Sequence, residues 1–125
     1  MKVAVTAYHN NLESEVDEMF GYATWFFIFD TETGEYQLVN NEDSYTLGYN
    51  EADAQATEKV SAYEVEAAIM GTCGPMAYKT LNRKGIKVFC VAQGKVREVV
   101  EKFKRGELEE ALGPNVIEYW NIQSY

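Results

Sequence analysis

The chain has 125 residues, 46% of them hydrophobic, with 20 acidic against 11 basic side chains and a formal charge of −9. That length suits a single domain with a sizeable core and argues against a second one. The acidic balance repels phosphate backbones, and no stretch approaches the roughly 20 apolar residues of a membrane span, so nucleic acid and membrane partners are both disfavoured.

The opening Lys2-Val3-Ala4-Val5-Thr6-Ala7 is rich in small and β-branched residues and predicts a strand. It is too short an apolar run for a signal-peptide core, which leads us to expect a cytoplasmic protein. Tyr8 to Gly21 reads as a long polar loop with a helical turn near Ser14-Glu15-Val16. Trp25-Phe26-Phe27-Ile28-Phe29-Asp30 is nearly all apolar, as expected of a strand covered on both faces. A short polar link, Thr31-Glu32-Thr33-Gly34, joins it to the extended pattern of Glu35 to Val39, giving an N-terminal β-hairpin.

Beyond a polar, tyrosine-bearing stretch from Asn40 to Tyr49, Asn50 is placed to cap a helix with Asp53 in its first turn. Ala52, Ala56, Val60 and Tyr63 form its thin, mostly small-residue stripe. Val65 to Met70 predicts a strand ending in Gly71. Pro75 at a first helical position and Gly85 just past an end bracket a second helix, and Ile86 to Val91 predicts another strand. Val96, Val99, Val100 and Phe103 fall at i, i+3, i+4 and i+7, with Lys and Glu on the opposite face and Gly106 as a stop, the clearest helix in the chain. The basic residues of that helix alternate with Glu98 and Glu101, the pattern of a solvated face.

Strand, helix, strand in succession implies a parallel crossover. With the hairpin, this predicts an α/β fold with a mixed five-stranded sheet and helices packed on it. Ligands of such sheets sit at the carboxyl ends of the parallel strands. Three loops reach that position: the one after the first strand, Gly71 to Pro75, and Ala92-Gln93-Gly94. Residues 109–125 read as a tail, since Gly113-Pro114-Asn115 breaks the chain and Val116 to Ile122 favours a strand. An added edge strand, a contact on a helix or a contact with another subunit all suit it.

Gly71-Thr72-Cys73-Gly74-Pro75 sets a thiol and backbone N–H groups at a strand-to-helix junction, where a helix dipole favours anions and lowers a thiol pKa. The alternative is a tight turn with Cys73 as a small core residue. His9, the single histidine, follows the first strand and could approach the same crevice. Imidazole and thiolate together suit a soft or borderline metal. Cys90 shares strand parity with Ile86 and Val88 and reads as core. Carboxylates such as Glu13, Glu15, Asp17, Glu42 and Asp43 fall in loops and read as solvation. There is no nucleophile elbow, phosphate-binding loop or dinucleotide fingerprint, and the first strand lacks the acidic residues of a Mg-dependent nuclease. A non-catalytic protein is expected.

Three segments together resemble the dinitrogenase iron-molybdenum cofactor biosynthesis family: Ser14 to Ala23, Gly71-Thr72-Cys73-Gly74-Pro75-Met76-Ala77, and Gly85 to Phe89 with Gly94 to Glu98. The likeness spans residues 1–108. It implies a ribonuclease H-like fold without nuclease chemistry, and carriage or insertion of an iron-molybdenum or related metal–sulfur cluster. Phe20, Gly21, Gly94 and the Gly71 to Pro75 loop would then wall the cluster site, with Cys73 and His9 as candidate metal ligands. The implied partners are the cluster and a cofactor-assembly or acceptor protein, for a monomer or homodimer. Two departures stand out: the family's Phe-Gly-Arg-Ala is here Phe20-Gly21-Tyr22-Ala23, and its Gly-Pro-Asn-Ala is Gly74-Pro75-Met76-Ala77. The other readings are a protein-interaction or regulatory module using the acidic, tyrosine-rich Asn41 to Asn50 segment, and a redox protein using Cys73 alone.

Overall fold

A computed structural model describes residues 1–91 and 93–114, so the Val116 to Ile122 segment and Ala92 lie outside the described residues. Strand β1 (Lys2–Ala7) is followed by β2 (Trp25–Asp30) and β3 (Tyr36–Asn40). A 3-10 turn at Glu42–Thr46 leads to α1 (Tyr49–Ser61), then β4 (Ala67–Met70), α2 (Pro75–Arg83), β5 (Lys87–Cys90) and α3 (Val96–Lys104).

The five strands form one mixed sheet in the order β3-β2-β1-β4-β5. β2 runs antiparallel to both β1 and β3, whereas β4 is parallel to β1 and to β5. The first strand of the chain is therefore the central one. Covering of β2 on both faces follows as its apolar run predicts: Phe26 and Ile28 face one side, Phe27 and Phe29 the other, and all four are buried.

Helices cover both faces of the sheet. On one, Ala56 and Val60 of α1 and Ala77 and Leu81 of α2 pack against Ala4, Phe26, Ala68 and Val88. On the other, Val96, Val99 and Val100 of α3 meet Val3, Val5, Phe27 and Ile69. The stripe of α3 thus finds the partner its spacing requires. Its start is fixed by a capping interaction, with Glu98 Oε1 accepting the Lys95 backbone N–H at 3.3 Å.

Two local expectations change. A single turn closes where Ser14 N–H donates to Asn11 O at 3.0 Å, and Glu15 and Val16 beyond it are extended rather than helical, because Val16 bridges Ala7 and Glu15 bridges Lys95. α1 starts one residue before Asn50, with Gly48 as its cap residue, so Asn50 lies inside the first turn.

The two sheet edges differ. Beside β5, Glu110 bridges Phe89 and the Ala111 N–H donates to Val88 O at 2.7 Å. Beside β3, no described residue pairs on the outer side. Among the described residues no helix is long and apolar enough to cross a membrane.

Candidate functional site

Because β1, β4 and β5 are parallel, the loops leaving their carboxyl ends emerge on one side of the sheet. The loop after β1 does not stand away from the others. It crosses the end of β4 and reaches the β5–α3 connection, held by main-chain bonds throughout. Asp17 N–H donates to Thr6 O at 3.1 Å, Gly71 N–H to Asp17 O at 3.0 Å and Thr72 N–H to Glu18 O at 2.6 Å. Further along, Val16 N–H donates to Gly94 O and Val96 N–H to Ser14 O, both at 2.9 Å. Side-chain hydroxyls reinforce the crossing, since Thr6 Oγ1 donates to Asp17 O and Thr72 Oγ1 to Glu18 O, each at 2.8 Å.

Gly71 is the tightest point of this junction. A Cβ there would lie 2.6 Å from Glu18 Cα, in contact with backbone that has no room to give. The glycine at the end of β4 is thus required by close approach of the 14–18 segment. Gly74, three residues on, faces open space, and a Cβ there would meet nothing within 4 Å.

Cys73 lies inward from the loop. It is fully buried among Phe20, Met70, Ala77 and Leu81. Burial, with Cys90 and the Asp53 carboxylate nearby, pushes its thiol far above the ordinary range. The sequence expectation of a lowered thiol pKa is not met, burial being the main cause of the upward shift. Cys90 is half-buried and its thiol is pushed up to about 11 by burial. Phe20 is buried in the same cluster as Cys73 and rests on Phe26, with ring centroids 5.5 Å apart.

His9 stands at the outer rim. It is exposed, and its backbone N–H donates to Ser14 Oγ at 3.0 Å. Among the described residues no group of three or more His, Cys, Asp or Glu side chains is arranged to hold a metal ion. The predicted residues therefore separate into three levels: Gly71, Thr72 and Gly94 in the main-chain junction, Phe20 and Cys73 in the core beneath it, and His9 above. Pro75 opens α2 at its first position and is exposed, while the thioether-bearing Met19 and Met76 are half-buried.

Several contributors escape a local reading. Asp17 is buried rather than solvated, its Oδ1 accepting Met19 N–H at 3.0 Å, and burial raises its pKa. Asp53 turns from α1 toward Gly21 and accepts its N–H; burial pushes its carboxyl up to about 6. Gly21 has to be glycine here, since a Cβ would sit 2.8 Å from Asp53 N. Asn41, fully buried, donates from Nδ2 to Gly21 O at 2.9 Å and Ala23 O at 2.8 Å and accepts Lys59 Nζ at 2.7 Å. Asparagine after a strand, followed by acidic residues, gives only a turn signal. Its partners, some eighteen to twenty residues away, are invisible to local pattern.

Tyr22, at the position of the family's arginine, follows Gly21 directly. Its hydroxyl donates to Leu47 O and its ring meets Tyr49 edge-on at 5.2 Å. The nearest basic groups on the junction side are already engaged. Glu13 takes Arg97 Nε at 2.6 Å and Lys95 Nζ at 3.2 Å, and these two hold its carboxyl down to about 2.

A mixed five-stranded sheet with helices on both faces, its loops joined at the carboxyl ends of the parallel strands, defines an α/β domain. The chain belongs to the dinitrogenase iron-molybdenum cofactor family, which matches residues 1–106. Its fold superposes on the apo form of the orange protein from Desulfovibrio gigas with a TM-score of 0.86 at 34% identity, covering 91% of this chain and 95% of that one. A provisionally assigned NifB protein from Thermotoga gives a TM-score of 0.75 at 31% identity, covering 87% and 91%. A provisionally assigned dinitrogenase from Methanocaldococcus jannaschii shares the fold at a TM-score of 0.67 and 19% identity, over 91% and 97% of the two chains. No curated protein matches.

Proposed function

We propose that this protein binds and carries an iron-molybdenum or related metal–sulfur cluster for delivery to an assembly or acceptor protein, without catalysing a reaction. The observation that carries the reading is the junction itself: three loops tied by main-chain bonds at the carboxyl ends of β1, β4 and β5, in a chain of this family. A ribonuclease H-like arrangement with its nuclease carboxylates absent fits the same reading, as does the similarity to a protein described in an apo form.

The chemistry of the donor set decides the mode of holding. Cys73 is fully buried in the core beneath the loop, so a cargo resting on the loop surface does not meet its thiol. The cargo is therefore held outside the core, by Thr72, Gly74 and the first-turn N–H groups of α2 on one side and His9 on the other, with Met19 and Met76 as soft contacts. On this reading Cys73 supports the floor of this surface from within the core.

Anaerobic reconstitution with iron, molybdate, copper and sulfide, followed by metal analysis and visible spectra, tests this. Wild type and Cys73→Ala should retain metal and chromophore alike, and His9→Ala should retain less. Absence of bound metal in wild type would overturn the proposal, and loss confined to Cys73→Ala would overturn the mode of holding.

A further inference from the structure

The outer edge of β3, which no described residue pairs, carries an inference independent of the cluster site. β3 pairs with β2 in continuous register from Trp25↔Asn40 to Phe29↔Tyr36, with no bulge. Two bonds fix which residues face inward: Asp30 N–H donates to Glu35 O and Asn41 N–H to Thr24 O, both at 2.9 Å. Alternation along an antiparallel ladder then assigns Glu35, Gln37, Val39 and Asn41 to the bonds with β2. The main-chain N–H and C=O groups of Tyr36, Leu38 and Asn40 point outward from the sheet.

Two of these, Tyr36 and Leu38, present apolar side chains on the α3 face. Tyr36 and Leu38 are 42% and 40% exposed. Tyr36 is held in place rather than loose, its ring 5.4 Å from that of Phe27 and 5.3 Å from that of Phe29. Natural sheets blunt such edges with lysine, proline, bulges or a covering segment. β3 has none of the first three, whereas the opposite edge has the Glu110 and Ala111 cover.

Charge says what would pair here. No lysine or arginine occurs between Lys2 and Lys59, and this span holds Glu32, Glu35, Glu42 and Asp43 on either side of the edge. Among the described residues neither Glu35 nor Glu42 forms an ion pair. Two copies meeting edge to edge would set these acidic margins against each other, so a second copy of the chain is disfavoured.

We infer that β3 is a docking edge for an extended, lysine- or arginine-bearing segment of another protein, which adds as a sixth strand through the outward main-chain groups of Tyr36, Leu38 and Asn40. The apolar side chains of the added strand lie over Tyr36 and Leu38, and its basic ones meet Glu35 and Glu42.

The test is amide hydrogen exchange on the full chain, alone and with a synthetic peptide of alternating valine and lysine, against the same peptide with glutamate for lysine. Alone, Tyr36, Leu38 and Asn40 should exchange fast and Gln37 and Val39 slowly. The lysine peptide should slow the first three by at least about tenfold, an effect that fades with salt, and the glutamate peptide should not. Leu38→Pro, which removes one outward donor while sparing the ladder to β2, should abolish the protection. The double variant Glu35→Lys, Glu42→Lys should reverse the peptide preference. Slow exchange at the three amides in the chain alone would mean the edge is already covered, by the chain's own C-terminal residues or by a second copy, and would overturn the inference. Equal protection by both peptides, or none by either, would overturn it as well.

Discussion

The two faces of the sheet are built by different rules. The face under α3 is apolar throughout: Val3, Val5, Ala7, Phe27, Phe29, Ala67 and Ile69 meet three valines of the helix. The face under α1 and α2 mixes apolar packing with buried polar groups, among them Asn41, Ser44, Thr57 and the partly buried Asp53. Thr57 and Thr80 even share a hydrogen bond of 2.7 Å between the two helices. The first face supplies apolar packing, with the exposed Glu13 pair to Lys95 and Arg97 at the start of its helix; the second shapes the loops leading to the candidate site and carries the partly buried Asp53.

That contrast can be tested by substitution. Leu81→Ala removes a fully buried side chain of α2 and should cost about 2–5 kcal/mol in chemical denaturation. Asn41→Ala should cost about 1–3 kcal/mol, because it takes the side-chain donor from two carbonyls and leaves the Lys59 ammonium with Asp43 alone of its two acceptors. An equal cost for a small polar truncation on the α3 face would erase the distinction. Gly71→Ala forces a methyl against the Glu18 backbone, with an expected cost of about 1–3 kcal/mol. Gly74→Ala, open at the same loop, should change stability by less than about 0.5 kcal/mol. Matching values for the two glycines would show that the 14–18 segment does not press on the end of β4.

Acid titration sharpens the contrast further. Asp53 binds its proton more tightly folded than unfolded, with a pKa raised from 3.8 to about 6. Its contribution is therefore fully present at low pH and is lost as pH rises through that window. Asp17, also raised, acts in the same sense. Denaturation midpoints followed across the window should fall as pH rises, and Asp53→Asn should shrink that slope. Glu13 behaves oppositely, being lowered from 4.5 to about 2. Its stabilisation is present above the upper value and lost as pH falls toward the lower one, a small exposed-pair effect that Glu13→Gln should remove. An unchanged slope in Asp53→Asn would remove that carboxyl from the account.

Legibility followed the same division. The stripe of α3, the two-sided apolar run of β2 and the Pro75 to Gly85 bracket of α2 are each complete within a short window, and the structure has all three. The small-residue stripe of α1 gave its helix but not its role, because what distinguishes α1 is Asp53 reaching back to Gly21. The Gly71 to Pro75 loop was visible as a turn entering a helix. That its glycine is needed by residue 18, and that its cysteine faces the core, depends on contacts between distant parts of the chain. A local pattern also carried the turn at Ser14 too far, since the extended course of Glu15 and Val16 is set by Lys95 and Ala7.

The central place of β1 has a consequence for the order of events during synthesis. Its antiparallel neighbour arrives within the first thirty residues, but its parallel one does not, since Val3 pairs with Ala67. A chain emerging from the ribosome can close the β1–β2–β3 meander early, while one side of its first strand waits for β4. Through that interval the span from Val3 to Glu58 carries many acidic residues and no lysine or arginine, a charge that disfavours contact between two such spans.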